Sequence, residues 1–422
     1  MIKTIEIDGY RLLDGFKADL DPLTVVIGAN STGKSSLIEC LKMISHSSEY
    51  LLKDVLGWNG GMDSILSAYD ETKKLHWKLT FETPKDGLYQ DRLFKHFKAK
   101  YYVYEVVIEK DRYGRGIPQF ESLRTEKPQS QYTKPFIFLE ATPYRSQIFD
   151  LSKNKLVPFD DAVGGYPKQP DDDDSEILQR EITLRLSQMR FVNEYPVPSL
   201  VRALFSQFGF YPGFDVRRQS ELRTKPSDIK PETVLHPNGE NLGTVLHEVF
   251  TRASFRQNAN ELRKFFCTAY PYVDDIFPET AHVAPPKVVV RIREKGLQRS
   301  MELWDLSDGM LRFLCLSAAL LAPAPVPFVA IDEPEAGLHP KLLPIVADMI
   351  KTAAQNKQVL VTTHSPDLLN CFDIDHVAVM SREENKIVWQ RPRERESLKT
   401  MLATVTEDTL GDLHRSGELE VL

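Results

Sequence analysis

Residues 23–44 read LTVVIGANSTGKSSLIECLKMI. The apolar run Leu23–Ile27 has the composition of a buried strand, and it stops at a segment bearing glycine at 28 and 33. Downstream, Leu37, Cys40, Leu41 and Ile44 recur at steps of three and four, which predicts a helix from Lys34 to about Ser45 with one apolar face for packing on a sheet. Between strand and helix, Gly28–Ser35 fits the spacing G-x-x-x-x-G-K-[ST]. Its glycines let the loop wrap closely enough for backbone N–H groups to face phosphates, and the helix start adds its positive dipole end. Lys34 is then placed to bridge the β- and γ-phosphates of a nucleotide, and Ser35 to offer its hydroxyl to Mg²⁺. The alternative, an ordinary glycine turn with a surface lysine, does not require a strand before it and an amphipathic helix after it.

Nucleotide hydrolysis also needs a carboxylate near the metal and a group that activates water. Both are present in FVAIDEPEAGLHP, residues 328–340. Phe328–Ile331 reads as a buried strand whose C-terminal end delivers Asp332, and that edge is where parallel α/β sheets bind ligands. Asp332 is the metal-side acid in this reading, and Glu333 the candidate general base. The competing reading is an acidic strand end that caps the helix after Pro340. VLVTTHSP, residues 359–366, ends another strand at His364, which can donate a hydrogen bond to a γ-phosphate or simply sit at the surface. In LWDLSDGMLRFLCLSAAL, residues 303–320, Ser307 or Asp305 can cap a strongly apolar helix. The same serine and the free N–H groups of that helix start can bind a phosphate, in particular one held by a second subunit.

The 422 residues, 42% apolar and 27% charged, suffice for a large core and for several domains or one domain with an insertion. A formal charge of −7 gives no global basic field, so contact with DNA has to come from a local patch or a partner. The four cysteines, Cys40, Cys267, Cys315 and Cys371, form no C-x-x-C pair, as expected of buried thiols in a reducing compartment with no zinc site. The N-terminus lacks the pattern of a signal peptide, and the apolar run Phe313–Ile331 is broken by Pro323, Pro325 and Pro327. A cytoplasmic protein with no membrane span is expected.

Along the chain, residues 1–165 read as one part of an α/β head, carrying β-rich stretches between Lys74 and about Glu140 that suggest an antiparallel lobe. Residues 166–286 read as a helical insertion, entered through the acidic linker Asp171–Asp174; four aspartates could hold a cation, but they lack calcium-loop spacing. Residues 287–422 alternate strand and helix again, beginning with KVVVRI, as expected of a parallel sheet. No internal repeat or long heptad run is present.

The ordered set GANSTGKSS, LSDGM, FVAIDEPEAGLHP and TTHSP resembles the ABC-type ATPases, specifically the RecF, SMC and OLD-like branch, in a short, arm-less form without a TOPRIM nuclease domain. LSDGM stands where that superfamily has LSGGQ, and VLHPNGENLGTVLHEVF is also similar to this branch. The likeness covers roughly residues 1–50 and 285–390. It implies a P-loop α/β fold, an ABC-ATPase head with an antiparallel β lobe and a helical insertion. It further implies that Gly28, Asn30, Ser31, Gly33, Lys34, Ser35 and Ser36 contact the phosphates of ATP, that Ser35 and Asp332 hold Mg²⁺, that Glu333 activates water with Lys34 and His364 as catalytic partners, and that Ser307 and Gly309 act on the ATP of a partner head.

Two heads would then sandwich two ATP molecules in a homo-oligomer built from head-to-head dimers. Two departures stand out: Asp308 replaces a glycine, and no glutamine lies between Ser36 and Tyr89 to serve a Q-loop. Arg11 could take the place of a basic residue that some relatives set near phosphate, or be an ordinary surface arginine. The resemblance suggests an ATP-driven switch acting with DNA or with a separate nuclease or toxin effector, in genome maintenance or anti-phage defence. Only about 30 residues follow VAVMSREENKIVWQ, too few for a nuclease domain. The alternative is a nucleotide-dependent oligomeric scaffold that sequesters or releases an effector without touching DNA. Arg217, Arg218, Arg223 and Lys225 are the candidate phosphate-backbone patch, with a solvated basic loop as the other reading.

Overall fold

The computed structural model describes residues 1–67, 74–82, 99–128, 133–159, 183–189, 194–224, 227–281, 286–323, 326–384, 386–395 and 409–419. The acidic linker Asp171–Asp174 and Lys225 lie outside them. The chain forms two compact units. The first comprises Met1–Asp21, Ala29–Phe208 and Met380–Gln390, and the second Pro22–Gly28, Gly209–Val379 and Arg391–Leu422.

The first unit is organised by an eight-stranded antiparallel sheet. Its strands are β1 (Ile2–Asp8), β2 (Phe16–Asp19), β4 (Lys74–Phe81), β5 (Tyr102–Lys110), β6 (Gly116–Thr125), β7 (Ile137–Thr142), β8 (Arg145–Asp150) and β9 (Lys155–Pro158), in the order β2-β1-β4-β5-β6-β7-β8-β9. β4 shows why it forms. Leu75, Trp77, Leu79 and Phe81 alternate into the core, while His76 and Lys78 face away. On that wetter face Lys78 stands opposite Glu6 in register and pairs with it at 3.1 Å.

Glu121 of β6 is buried and accepts from Tyr104 Oη at 3.0 Å, Arg185 N at 2.6 Å and Leu186 N at 2.9 Å, fastening the turn at Leu186–Gln188 to the sheet. Burial raises this carboxyl above its ordinary value in spite of the three donors. Glu121→Ala leaves those donors unmet and is expected to cost about 3 kcal/mol or more, read as a lowered unfolding temperature. Because the folded value is the higher one, the carboxyl's contribution is complete below the unfolded value and is lost as pH rises through the folded value. The wild type should therefore lose stability relative to Glu121→Gln across that window.

The second unit carries a parallel sheet. Its strands, β10 (Gly209–Tyr211), β15 (Phe328–Asp332), β16 (Gln358–Thr362), β3 (Leu23–Ile27) and the start of β17 (Val377–Glu383), lie in the order β10-β15-β16-β3-β17; the end of β17 and β18 (Lys386–Gln390) belong to the first unit. Val25, Val26, Ile27, Val329, Ala330, Ile331, Val359, Leu360 and Val361 are all buried, as continuous apolar runs covered on both faces must be. Helices Leu242–Thr251, Arg256–Ala269, Asp308–Leu321 and Leu343–Ala354 pack into the same core through residues such as Val245, Phe266, Phe313 and Val346.

Two expectations are corrected here. KVVVRI belongs to β13 (Lys287–Glu294), which is not in the parallel sheet. It lies in a separate antiparallel sheet with β11 (Ser227–Asp228), β12 (Val273–Ala281) and β14 (Met301–Glu302). The physical sign is its alternation: Val288, Val290 and Ile292 are buried while Val289 and Arg291 are not, so one face is wet. The stretch read as a helical insertion does hold helices, but it also supplies β10, which joins the parallel sheet beside β15. Among the described residues, no helix is long and apolar enough to cross a membrane.

Candidate nucleotide and metal site

β3 ends at Ile27, and the chain passes through Gly28 straight into the loop that precedes helix Lys34–Ser47. Leu37, Ile38, Cys40, Leu41, Met43 and Ile44 of that helix are buried, which fixes its N-terminus at the end of the loop. The loop is tightly curled: Ser31 has φ +65° and Gly33 φ +88°. At Gly33 the positive φ favours glycine, and a Cβ would also press to 3.2 Å from Leu13 Cδ2, tighter than ordinary contact. Lys34 is buried, and its Nζ turns back to donate to the carbonyl of Ala29 at 2.9 Å, as does Thr32 Oγ1 at 2.9 Å. Asn30, Ser31 and Ser35 are exposed and Ser36 half-buried, so polar groups face outward around a buried cation. Arg11 pairs with Glu39 at the surface of the same unit.

In the second unit the parallel strands bring three predicted elements to one edge. Asp332 ends β15 in register with Thr362 of β16, and β3, which leads to Gly28, is the next strand. Thr362 Oγ1 donates to Asp332 Oδ1. Glu333 follows with φ +48°, a left-handed conformation that costs a non-glycine residue roughly 1 kcal/mol or more. Its backbone N–H is held by Thr362, on the carbonyl at 3.1 Å and the hydroxyl at 3.3 Å. The twist leaves the Glu333 carboxylate half-exposed, 3.9 Å from His364 Nε2.

Sequence reasoning missed the residues that hold this arrangement, Thr362, Thr363 and Glu335. Glu335 Oε1 accepts from Thr363 Oγ1 at 2.7 Å and from the backbone N–H of His364 at 3.1 Å. The signal was available as a second glutamate after the acidic pair and a threonine pair before the histidine.

On the far side of β15, Tyr211 pairs with Ile331, and the turn Pro212–Phe214 with Arg312, Asp332 and Glu333 lines a cavity of about 200 Å³. No glutamine stands in this turn either. Asp215, just beyond it, is held to about 2 by the guanidinium of Arg217, which it grips at 2.7 and 2.8 Å.

Ser307, rather than Asp305, caps helix Asp308–Leu321: its Oγ accepts from Met310 N at 3.3 Å, which leaves the hydroxyl proton for another acceptor. Asp305 caps the preceding turn with Glu302. Among the described residues, a Cβ at Gly309 would meet only Gly337 O, at an ordinary 3.5 Å, so none of them demands glycine there. Arg223, expected in a solvated basic loop, is instead buried and bonded to the turn that leads to Ser307.

The parallel sheet, with Gly28 directly after β3 and an acidic pair at the end of β15, has the fold of P-loop proteins. The chain belongs to the family described as "AAA domain, putative AbiEii toxin, Type IV TA system", matched over residues 23–370. A stretch of 89 residues, 21% of the chain, is 28% identical to the chromosome partition protein Smc of Methanocaldococcus jannaschii and spans 8% of that protein's length. Among solved structures, an SMC head bound to the C-winged helix domain of ScpA is similar with a TM-score of 0.54 at 13% identity, covering 93% of this chain and 99% of that one. A Pyrococcus furiosus Smc head with an extended coiled coil, bound to the C-terminal domain of ScpA, gives 0.49 at 13% identity, covering 96% and 99%. At 13% identity the first of these likenesses concerns the fold alone.

Proposed function

We propose that the protein hydrolyses ATP with Mg²⁺ and uses it to switch between separate and ATP-joined copies. The observation that carries this reading is that neighbouring strand ends deliver Asp332–Glu333, Thr362–His364 and Gly28 to one sheet edge. The donor chemistry suits the ligands: the exposed Asn30 and Ser31, the half-buried Ser36 and the Lys34 ammonium for phosphate, and the oxygens of Ser35 and Asp332 for a hard cation. Bound there, Mg²⁺ would neutralise charge on the phosphate oxygens. Glu333 accepts a proton from the attacking water, and His364 donates toward the γ-phosphate. Ser307 and Gly309 of a second copy complete the site around the same nucleotide.

The switch would act on a separate effector, a nuclease or toxin, in anti-phage defence or genome maintenance. One observation favours the scaffold form of this reading, in which DNA is not touched through the basic loop. Of the expected patch, Arg223 is buried against carbonyls and Asp308, and Arg217 is paired with Asp215. Phosphate release from ATP and Mg²⁺, followed at low salt with and without duplex DNA, tests both parts. Turnover that DNA changes by less than about twofold is expected. No turnover at saturating ATP would overturn the ATPase reading, and strong DNA stimulation would overturn the scaffold form.

A further inference from the structure

We propose that Arg223 is a positioning residue that makes an aspartate tolerable beside the phosphate-facing helix start, and so holds Ser307 for the nucleotide of a second copy. This rests on the ATP-joined reading above. The Arg223 side chain is only 3% exposed. Its Nε donates to Val216 O at 2.7 Å, and Nη1 serves the carbonyls of Leu306 at 2.7 Å, Leu303 at 3.1 Å and Trp304 at 3.3 Å. Its Nη2 donates to Asp308 Oδ1 at 2.6 Å. A single planar fork therefore binds the turn Leu303–Asp305, the residue before Ser307 and the residue after it. A lysine, with one ammonium, cannot reach these acceptors together.

Asp308 is 69% exposed in the first turn of helix Asp308–Leu321, where a carboxylate suits the helix dipole but repels an incoming phosphate. Arg223 draws that carboxylate back and cancels its charge, so the N–H groups beside Gly309 keep their attraction for phosphate. The two residues are 85 positions apart in sequence and meet only through the fold.

The test is made in full-length Glu333→Gln protein, by measuring the ATP concentration that half-saturates self-association, with binding of a fluorescent ATP analogue followed in parallel. Adding Arg223→Met is expected to raise that concentration at least about tenfold, the cost of one unpaired like charge. Adding Asp308→Asn to that variant is expected to restore most of the loss. Rescue by charge removal is a result that a purely structural arginine would not give. Unchanged association in the Arg223→Met variant, or loss without rescue, overturns the inference and leaves the ATP-joined reading standing. Failure of Glu333→Gln protein itself to associate overturns that reading and the inference with it. If Arg223→Met does not fold, Arg223→Gln takes its place and is read the same way: it should also lose association and regain it with Asp308→Asn, and association like that of the parent, or loss without rescue, overturns the proposal.

Discussion

Replacing Lys34 with alanine is expected to abolish ATP turnover, lowering it by about 10³-fold or more, while the fold stays intact. The ammonium is buried under the loop that it closes, 2.9 Å from the carbonyl of Ala29, at the first residue of helix Lys34–Ser47. A buried cation acts at reduced dielectric, where stabilising the charge that develops on a transferring phosphoryl group contributes several kcal/mol. Alanine removes this charge and leaves the helix start undisturbed, since it is the best helix former and the apolar face Leu37–Ile44 is untouched. Phosphate release and nucleotide affinity should fall together, with no change in unfolding temperature beyond about 1 kcal/mol equivalent. Hydrolysis at the wild-type rate would remove Gly28–Ser35 from the site altogether.

The parts legible in sequence were those in which one segment states its own environment. LTVVI and FVAI are apolar on both faces, so they had to be central parallel strands, and the residues directly after each strand had to lie at the carboxyl edge. KVVVRIRE carried the opposite message in its alternating charges, but its first residues have the composition of a buried strand. β10 is hidden for a different reason. Gly209-Phe210-Tyr211 is too short for any period, and its place next to β15 depends on pairing across more than a hundred residues. Arg223 shows the same limit for side chains. An arginine among Arg217, Arg218 and Lys225 reads as solvated, because the carbonyls that surround it belong to Leu303, Trp304 and Leu306. The strained backbone of Glu333 and the threonine that holds it are likewise products of two strands meeting.

Glu333→Gln should separate nucleotide binding from hydrolysis and accumulate an ATP-joined oligomer. The amide is nearly isosteric with the carboxylate, and the contacts that set the left-handed turn come from the backbone N–H to Thr362, which the substitution leaves in place. What disappears is the group able to take a proton from water, 3.9 Å from His364, and loss of a general base slows turnover about 10²–10⁴-fold. If hydrolysis is what parts the copies, the lifetime of the joined state lengthens by a similar factor. A transient species then becomes the dominant one at saturating ATP, visible by light scattering on a sizing column. The oligomer should depend on the loop as well: Lys34→Ala combined with Glu333→Gln should return the protein to separate copies, because the slowed hydrolysis matters only once ATP is held. A Glu333→Gln protein that binds ATP yet stays in separate copies would show that ATP does not join this chain to itself, and Ser307 and Gly309 would then have no nucleotide to meet.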